Sequence, residues 1–155
     1  MKKILIAVDD SKYSDHAAEL GFDIARCYNA EVGLVNIVEP MVLPVTSTDT
    51  LAGVPFESTP MADPELIRAQ RESSENIIDR TIHKFAGDMQ ITQFTDYGPT
   101  SDGILSCCDE FKADMIVLGT HSRTGLDRLV MGSIAEKVIR HASVPVLVVP
   151  LKQAE

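Results

Sequence analysis

The chain has 155 residues, of which 45% are hydrophobic and 24% charged, and its formal net charge is −9. This length and composition are typical of one globular domain with a sizeable core. The acidic balance argues against nucleic acid and anionic membrane surfaces as partners. An odd number of cysteines gives no disulfide framework, so we interpret Cys27, Cys107 and Cys108 as reduced thiols in or near the core.

The first residues carry no recognisable targeting signal. A basic start is followed by an apolar run of five residues, Ile4–Val8, which is shorter than a signal peptide requires. No stretch approaches the roughly 20 apolar residues of a membrane span. We therefore expect a cytoplasmic protein that has no membrane partner.

The first 38 residues predict two strands with a helix between them. The branched apolar runs Ile4–Val8 and Val32–Val38 are typical of strands covered on both faces. Between them, small and apolar residues recur at helical spacing. Ser11 or Ser14 can cap this helix, and Asn29 is a candidate stop.

The next stretch, 39–63, contains four prolines and no periodicity, which predicts a long mobile loop. A lid function is one interpretation of such a loop. Beyond it the predicted elements are a helix over 64–85 closed by Gly87, an edge strand over 90–95, a helix over 100–111, a strand over 115–118, a helix over 133–141 and a strand over 146–149. In the helix over 133–141, the periodicity predicts an inner face of Ile134, Ala135, Val138 and Ile139.

The predicted order alternates strictly between strand and helix. Such alternation favours right-handed crossovers and a parallel sheet with helices on both faces. The predicted fold class is therefore α/β, an open five-stranded Rossmann-like sheet in a single domain over 1–155. Ligands of such sheets bind beyond the carboxyl ends of the strands, where the winding reverses.

Two predicted strand ends carry the residues that favour a phosphate. The first strand runs into Asp9, and the fourth ends at Leu118 and Gly119, where a loop begins that leads to Gly132. A helix start has unpaired N–H groups and a partial positive charge, which favour phosphate. The predicted donors are the N–H groups of Gly132, Ser133, Ile134 and Ala135, with Ser133 also serving as the N-cap. Arg123 is a candidate for a charge-assisted contact.

The spacing differs from two common nucleotide motifs. No Gly-Lys-Ser/Thr is present, which excludes the common P-loop, and the first strand is not followed by Gly-x-Gly-x-x-Gly. Instead, residues 119–150, the opening 3–11 and Gly98-Pro99 resemble the universal stress protein family, in its nucleotide-binding branch. That branch has Gly, two residues, Gly, nine residues, then Gly-Ser or Gly-Thr. Gly119, Gly132 and Ser133 match this pattern, and Ser122 stands in place of the second glycine.

This resemblance implies an adenine nucleotide alpha hydrolase-like fold, an ATP ligand with Mg²⁺, and a homodimer formed through Val146–Val149. It places Asp9 against ribose or a metal-bound phosphate, which makes it the candidate metal contact. The implied ligand contacts are Ala7, Val8, Asp9, Ile37, Leu118, Gly119, His121, Ser122, Arg123, Gly132, Ser133, Ile134 and Ala135. If the backbone at position 122 needs a positive φ, serine costs about 1 kcal/mol, or about fivefold in affinity.

The function implied is that of an ATP-binding regulator or nucleotide sensor in the stress response. No Ser-His-Asp pattern is evident, and we assign no catalytic residue. Two alternatives remain, a slow ATPase on the same site and a dimerisation module of the same fold that has lost its nucleotide.

Overall fold

The computed structural model describes residues 1–39, 64–120 and 132–151. Strands and helices alternate along the chain as predicted. They are β1 (Lys3–Ala7), α1 (Lys12–Tyr28), β2 (Glu31–Val38), α2 (Pro64–Phe85), β3 (Ile91–Tyr97), α3 (Thr100–Phe111), β4 (Met115–Thr120), α4 (Ser133–His141) and β5 (Val146–Pro150). The predicted loop over 39–63 lies outside the described residues, except for Glu39.

The five strands form one parallel sheet in the order β3-β2-β1-β4-β5. This confirms the predicted α/β fold with its open parallel sheet, and β3 lies at an edge. The chain winds outward from β1 to β3, returns to the centre, and then winds the other way through β4 and β5. The reversal therefore falls between β1 and β4, and the carboxyl ends of these neighbours open onto the same edge of the sheet.

The strand β3 ends two residues beyond the predicted 90–95. Its pairing with β2 continues to Tyr97 opposite Val38, and the N–H of Gly98 still donates to the Val38 carbonyl at 3.1 Å. Polar Asp96 interrupts the hydrophobic pattern, but the backbone ladder does not depend on that side chain. Gly98 then turns the chain with φ 135°, as the Gly98-Pro99 pair predicts.

Two apolar clusters cover the faces of the sheet. Alternate residues of β1 point to opposite faces, so that Ile4 and Ile6 enter one cluster and Leu5 the other. The first cluster joins the sheet to α1 and α2, and includes Phe22 and Ile78. The second joins it to α3 and α4, through residues that include Ile104, Cys108, Phe111, Ala135 and Val138. Helices therefore lie on both faces, as the strict alternation predicts.

Local signals at the ends of α1 and α2 account for where these helices begin and end. Ser11 caps α1, since its hydroxyl accepts the N–H of Ser14 at 3.2 Å. Asn29 ends α1 in the left-handed conformation with φ 50°, and Gly87 follows α2 with φ 58°. The predicted stops at these two positions are confirmed.

Two predictions about burial need correction. Ala135 and Val138 are buried, but Ile134 and Ile139 flank them and are each 41% exposed. The buried face of α4 is therefore narrower than the apolar periodicity predicts. It consists of Ala135 and Val138, which lie one above the other on the helix. Cys107 and Cys108 are buried, whereas Cys27, near the end of α1, is exposed.

Burial of the two α3 thiols raises the pKa of Cys107 to about 11, with nearby Asp96 and Glu110 adding to the effect, and raises the pKa of Cys108. Both are therefore protonated at neutral pH. None of the helices within residues 1–39, 64–120 and 132–151 is long and apolar enough to cross a membrane.

Candidate ligand-binding site

A cavity of about 300 Å³ opens at the carboxyl edge of the sheet, where the winding reverses. It lies between the ends of β1, β2 and β4 and is bordered by the first residues of α1, α3 and α4. Cavities of this size are within the range of small-molecule sites. The topology rule for open sheets therefore locates the cavity correctly.

The structure brings together, around this cavity, the predicted site residues that it describes. They are Ala7, Val8, Asp9, Ile37, Leu118, Gly119, Gly132, Ser133, Ile134 and Ala135. The other three, His121, Ser122 and Arg123, lie outside the described residues. Contact of any of these residues with a ligand remains a prediction.

Sequence reasoning missed several lining residues. They are Ser11, Tyr13, Ser14, Val35, Asn36, Thr100, Ile104 and Thr120. Two of them had a usable signal. Asn36 is a polar residue near the carboxyl end of an apolar strand, and Thr120 directly follows the motif glycine at position 119.

The turn after β1 orients Asp9 through its own polar groups. Its N–H donates to the Ser14 hydroxyl at 2.9 Å, and its Oδ1 accepts the N–H of Ser11 at 2.8 Å. Such a side-chain-to-backbone bond two residues on is an Asx turn. The sequence left open which serine caps α1, and the structure assigns the cap to Ser11, whereas the Ser14 hydroxyl accepts the N–H of Asp9.

Beneath this turn, a buried amide joins β1 to β2. Asn36 is 7% exposed, and its Nδ2 donates to the Val8 carbonyl at 2.7 Å. The Val8 N–H donates to the Val35 carbonyl at 2.8 Å. Both polar groups of the Val8 backbone are therefore engaged by β2 on the inner side of the cavity. These hydrogen bonds hold the backbone of Val8 against β2, and so they hold the residue that directly precedes Asp9.

The helix α4 begins at the cavity with a residue that has no side chain to cap it. Gly132 is its N-cap, with φ −52° and ψ 144°, and no side chain of the described residues makes a cap hydrogen bond there. Ser133 is therefore the first helical residue and not the predicted N-cap. The N–H groups of the first turn have no acceptor within their own helix. Within the described residues, those of Ser133, Ile134 and Ala135 have no hydrogen-bond acceptor, and all three residues line the cavity.

The helix α3 also begins at the cavity, but a carboxylate occupies its N-terminus. Glu39, just after β2, accepts both the backbone N–H and the hydroxyl of Thr100, the first residue of α3. These hydrogen bonds hold the pKa of Glu39 below its usual value. Of the three helix starts at the cavity, α1 is capped by Ser11 and α3 by Glu39, and among the described residues α4 is the one without a capping side chain.

The two motif glycines that the structure describes serve different purposes. A β-carbon on Gly119 would lie 2.5 Å from the Tyr13 carbonyl oxygen and 3.0 Å from the Ser14 nitrogen. Gly119 thus allows the first turn of α1 to pack on the end of β4. Among the described residues, a β-carbon on Gly132 would meet the Thr120 hydroxyl alone, at 3.7 Å, which is an ordinary contact. The fold therefore requires glycine at 119 and not at 132.

The charge inside the cavity is small. Among the described lining residues, Asp9 has the one ionisable carboxylate and no side chain is cationic. No group of three or more His, Cys, Asp or Glu in the described parts of the chain forms a metal site. Mg²⁺ is commonly held by one or two carboxylates together with phosphate oxygens and water. A single carboxylate in the same cavity as a helix N-terminus fits that arrangement.

Residues 1–150 match the universal stress protein family, and the chain belongs to this family. A universal stress protein of Methanocaldococcus jannaschii is 33% identical over 156 residues, covering 99% of this chain and 85% of that protein. A structure solved as a structural-genomics test of function assignment has a TM-score of 0.75 and 22% identity, and covers 99% of this chain and 98% of its own.

Two further solved structures contain nucleotides. A universal stress protein in complex with cAMP has a TM-score of 0.63 and 19% identity, covering 96% of both chains. The universal stress protein of Archaeoglobus fulgidus in complex with dAMP has a TM-score of 0.60 and 19% identity, covering 96% of this chain and 98% of that one. At these identities the structures establish the shared fold.

Proposed function

We propose that this protein binds an adenine nucleotide, ATP with Mg²⁺, in the cavity at the carboxyl edge of the sheet. It acts as a homodimeric cytoplasmic regulator that reports nucleotide state in the stress response. The observation that carries the proposal is that the start of α4, which no side chain of the described residues caps, lines the same cavity as Asp9. The N–H groups of such a helix start favour an anion.

The two ends of the cavity fit the two ends of a nucleotide. Apolar side chains, Ile37 and Ile104 among them, line the side formed by β2 and α3 and suit a base. The start of α4 suits the phosphates. The cAMP and dAMP complexes of family members support an adenine nucleotide as the ligand class.

Asp9 and the phosphates would hold the Mg²⁺, which neutralises charge between phosphate oxygens when bound. The Asx turn fixes the Asp9 carboxylate through Oδ1. The carboxylate is therefore already oriented before the ligand binds, so binding costs little side-chain conformational entropy.

The proposed dimer uses β5, which is an edge strand of the sheet. Val146, Leu147 and Val148 are each only partly buried in the single chain, although β5 is apolar throughout. An apolar edge strand with unpaired backbone groups is a template for pairing with another chain. A second copy of β5 would cover this edge.

Calorimetric titration of the purified protein with ATP, AMP and cAMP, with and without Mg²⁺, tests the proposal. We expect saturable binding below millimolar ligand, and tighter binding of ATP when Mg²⁺ is present. No heat up to millimolar nucleotide, together with no adenine absorbance released on heat denaturation, would refute it. Chromatographic analysis of the same ATP samples after long incubation separates a binding protein from a slow ATPase.

A further inference from the structure

A residue outside the cavity contacts the turn that carries Asp9. Arg80 lies on α2, and no residue of α2, all of which is described, lines the cavity. One guanidinium nitrogen of Arg80 donates to the Asp10 carboxylate. The other donates to the backbone carbonyl of Asp9 at 3.4 Å and lies 3.6 Å from an Asp15 carboxylate oxygen.

These contacts complete the restraint on Asp9. Its N–H and its Oδ1 are engaged by Ser14 and Ser11, within the turn itself. Its carbonyl is engaged by Arg80, which is 71 residues away along the chain. The forked guanidinium of Arg80 reaches the Asp10 carboxylate and the Asp9 carbonyl together, and a lysine ammonium is not an equivalent replacement.

The same contacts offset an unfavourable charge. Asp9 lines a cavity proposed to take phosphate, Asp10 is the next carboxylate along the chain, and Asp15 follows in the first turn of α1. Within the described residues, the cations that pair with this group are Arg80 and Lys84, both on α2. Arg80 is the one that pairs with Asp10.

We propose that Arg80 is a positioning residue of the cavity. Arg80 holds the Asp9–Ser11 turn in the conformation in which the Asp9 carboxylate is oriented, and it offsets the charge of Asp10. Loss of Arg80 therefore weakens phosphate binding, although Arg80 does not itself contact the ligand. The effect on affinity rests on the proposed nucleotide function, whereas the effect on the turn does not.

Lys84→Ala provides the matched control for Arg80→Ala. Lys84 lies one helical turn further along α2 and pairs with Asp15 at 3.0 Å, so its removal breaks an α1–α2 ion pair but no contact with the turn. We expect Arg80→Ala to raise the Kd for Mg-ATP about threefold to fivefold and Lys84→Ala to change it less than twofold. Adding Asp10→Asn to Arg80→Ala should restore part of the loss, and Arg80→Lys should be intermediate.

Amide hydrogen exchange measured by NMR tests the turn without any ligand. The amides of Asp9 and Ser11 should exchange faster in Arg80→Ala than in Lys84→Ala. Equal exchange in the two variants would overturn the positioning role. Faster exchange with an unchanged Kd would overturn its effect on affinity. If the wild-type protein binds no nucleotide while the exchange differs as expected, the proposed function fails and Arg80 still holds the turn.

Discussion

The Tyr13 carbonyl lies directly over Gly119, so close that a β-carbon at position 119 would be 2.5 Å from its oxygen and 2.7 Å from its carbon. Both are backbone atoms at the start of α1, and neither can rotate away. The motif glycine that opens the loop after β4 is therefore a requirement of helix packing. Gly119 also lines the cavity, because the packing of the start of α1 on the end of β4 places the Asp9 turn beside β4.

Gly119→Ala is expected to lower the free energy of unfolding by about 2 kcal/mol, within the range for overpacking against atoms that cannot yield. Urea denaturation followed by circular dichroism measures this change. Gly132→Ala is the matched control, because its β-carbon would make an ordinary contact with the Thr120 hydroxyl and no closer one with any described residue. It should cost at most about 1 kcal/mol, the usual difference between Gly and Ala at an N-cap. Equal losses in the two variants would contradict the packing argument.

Ser133→Pro removes one N–H from the start of α4 and leaves the helix intact. Proline suits the first helical position, and the ψ of 144° at Gly132 suits a residue before proline. We expect nucleotide affinity in calorimetry to fall about tenfold, the loss of one charge-assisted hydrogen bond. Ser133→Ala removes the hydroxyl and keeps the N–H. If the two variants bind equally well, the N–H of residue 133 does not hold the phosphate.

Glu39→Gln tests the capping carboxylate at the start of α3. The Thr100 hydrogen bonds lower the pKa of Glu39 in the folded protein, so the ionised carboxylate stabilises the fold above its unfolded pKa of about 4.5. That stabilisation is lost as the pH falls through the lower folded pKa. We expect the free energy of unfolding of the wild type to exceed that of Glu39→Gln by about 0.5 kcal/mol at pH 7. The difference is small because this carboxylate is exposed. Urea titrations at a series of pH values below 7 should show the difference shrinking as the pH falls, and a constant difference would count against the cap.

Val148→Pro tests the proposed dimer. The Ile116 N–H donates to the Pro145 carbonyl, and parallel pairing alternates, so the N–H of Val148 points away from β4 toward the free edge. Proline is tolerated at such edge positions. We expect Val148→Pro to elute as a monomer in size-exclusion chromatography with light scattering, whereas Val148→Ala, which keeps the N–H, remains dimeric. A dimeric proline variant would exclude edge pairing through β5.

The sequence predicted the strands and helices because their signals are local. Apolar runs, Asn29 and Gly87 act within a few residues, and the position of the cavity follows from strand order. The residues that support the cavity act over long distances. Asn36 bonds to Val8 across 28 residues, and Glu39 bonds to Thr100 across 61. No local pattern identifies such a pair, because the contact exists only after the strands have assembled.

The burial of the two neighbouring thiols on α3 means that their rate of alkylation would measure how often this helix opens. Cys27 is exposed and should be alkylated first under native conditions, whereas Cys107 and Cys108 are protonated and shielded until α3 separates from the sheet. The delay between the alkylation of Cys27 and that of the α3 thiols therefore reports the rate at which α3 opens locally. The first residue of this helix, Thr100, borders the cavity. No engineered probe is needed to follow that opening by mass spectrometry.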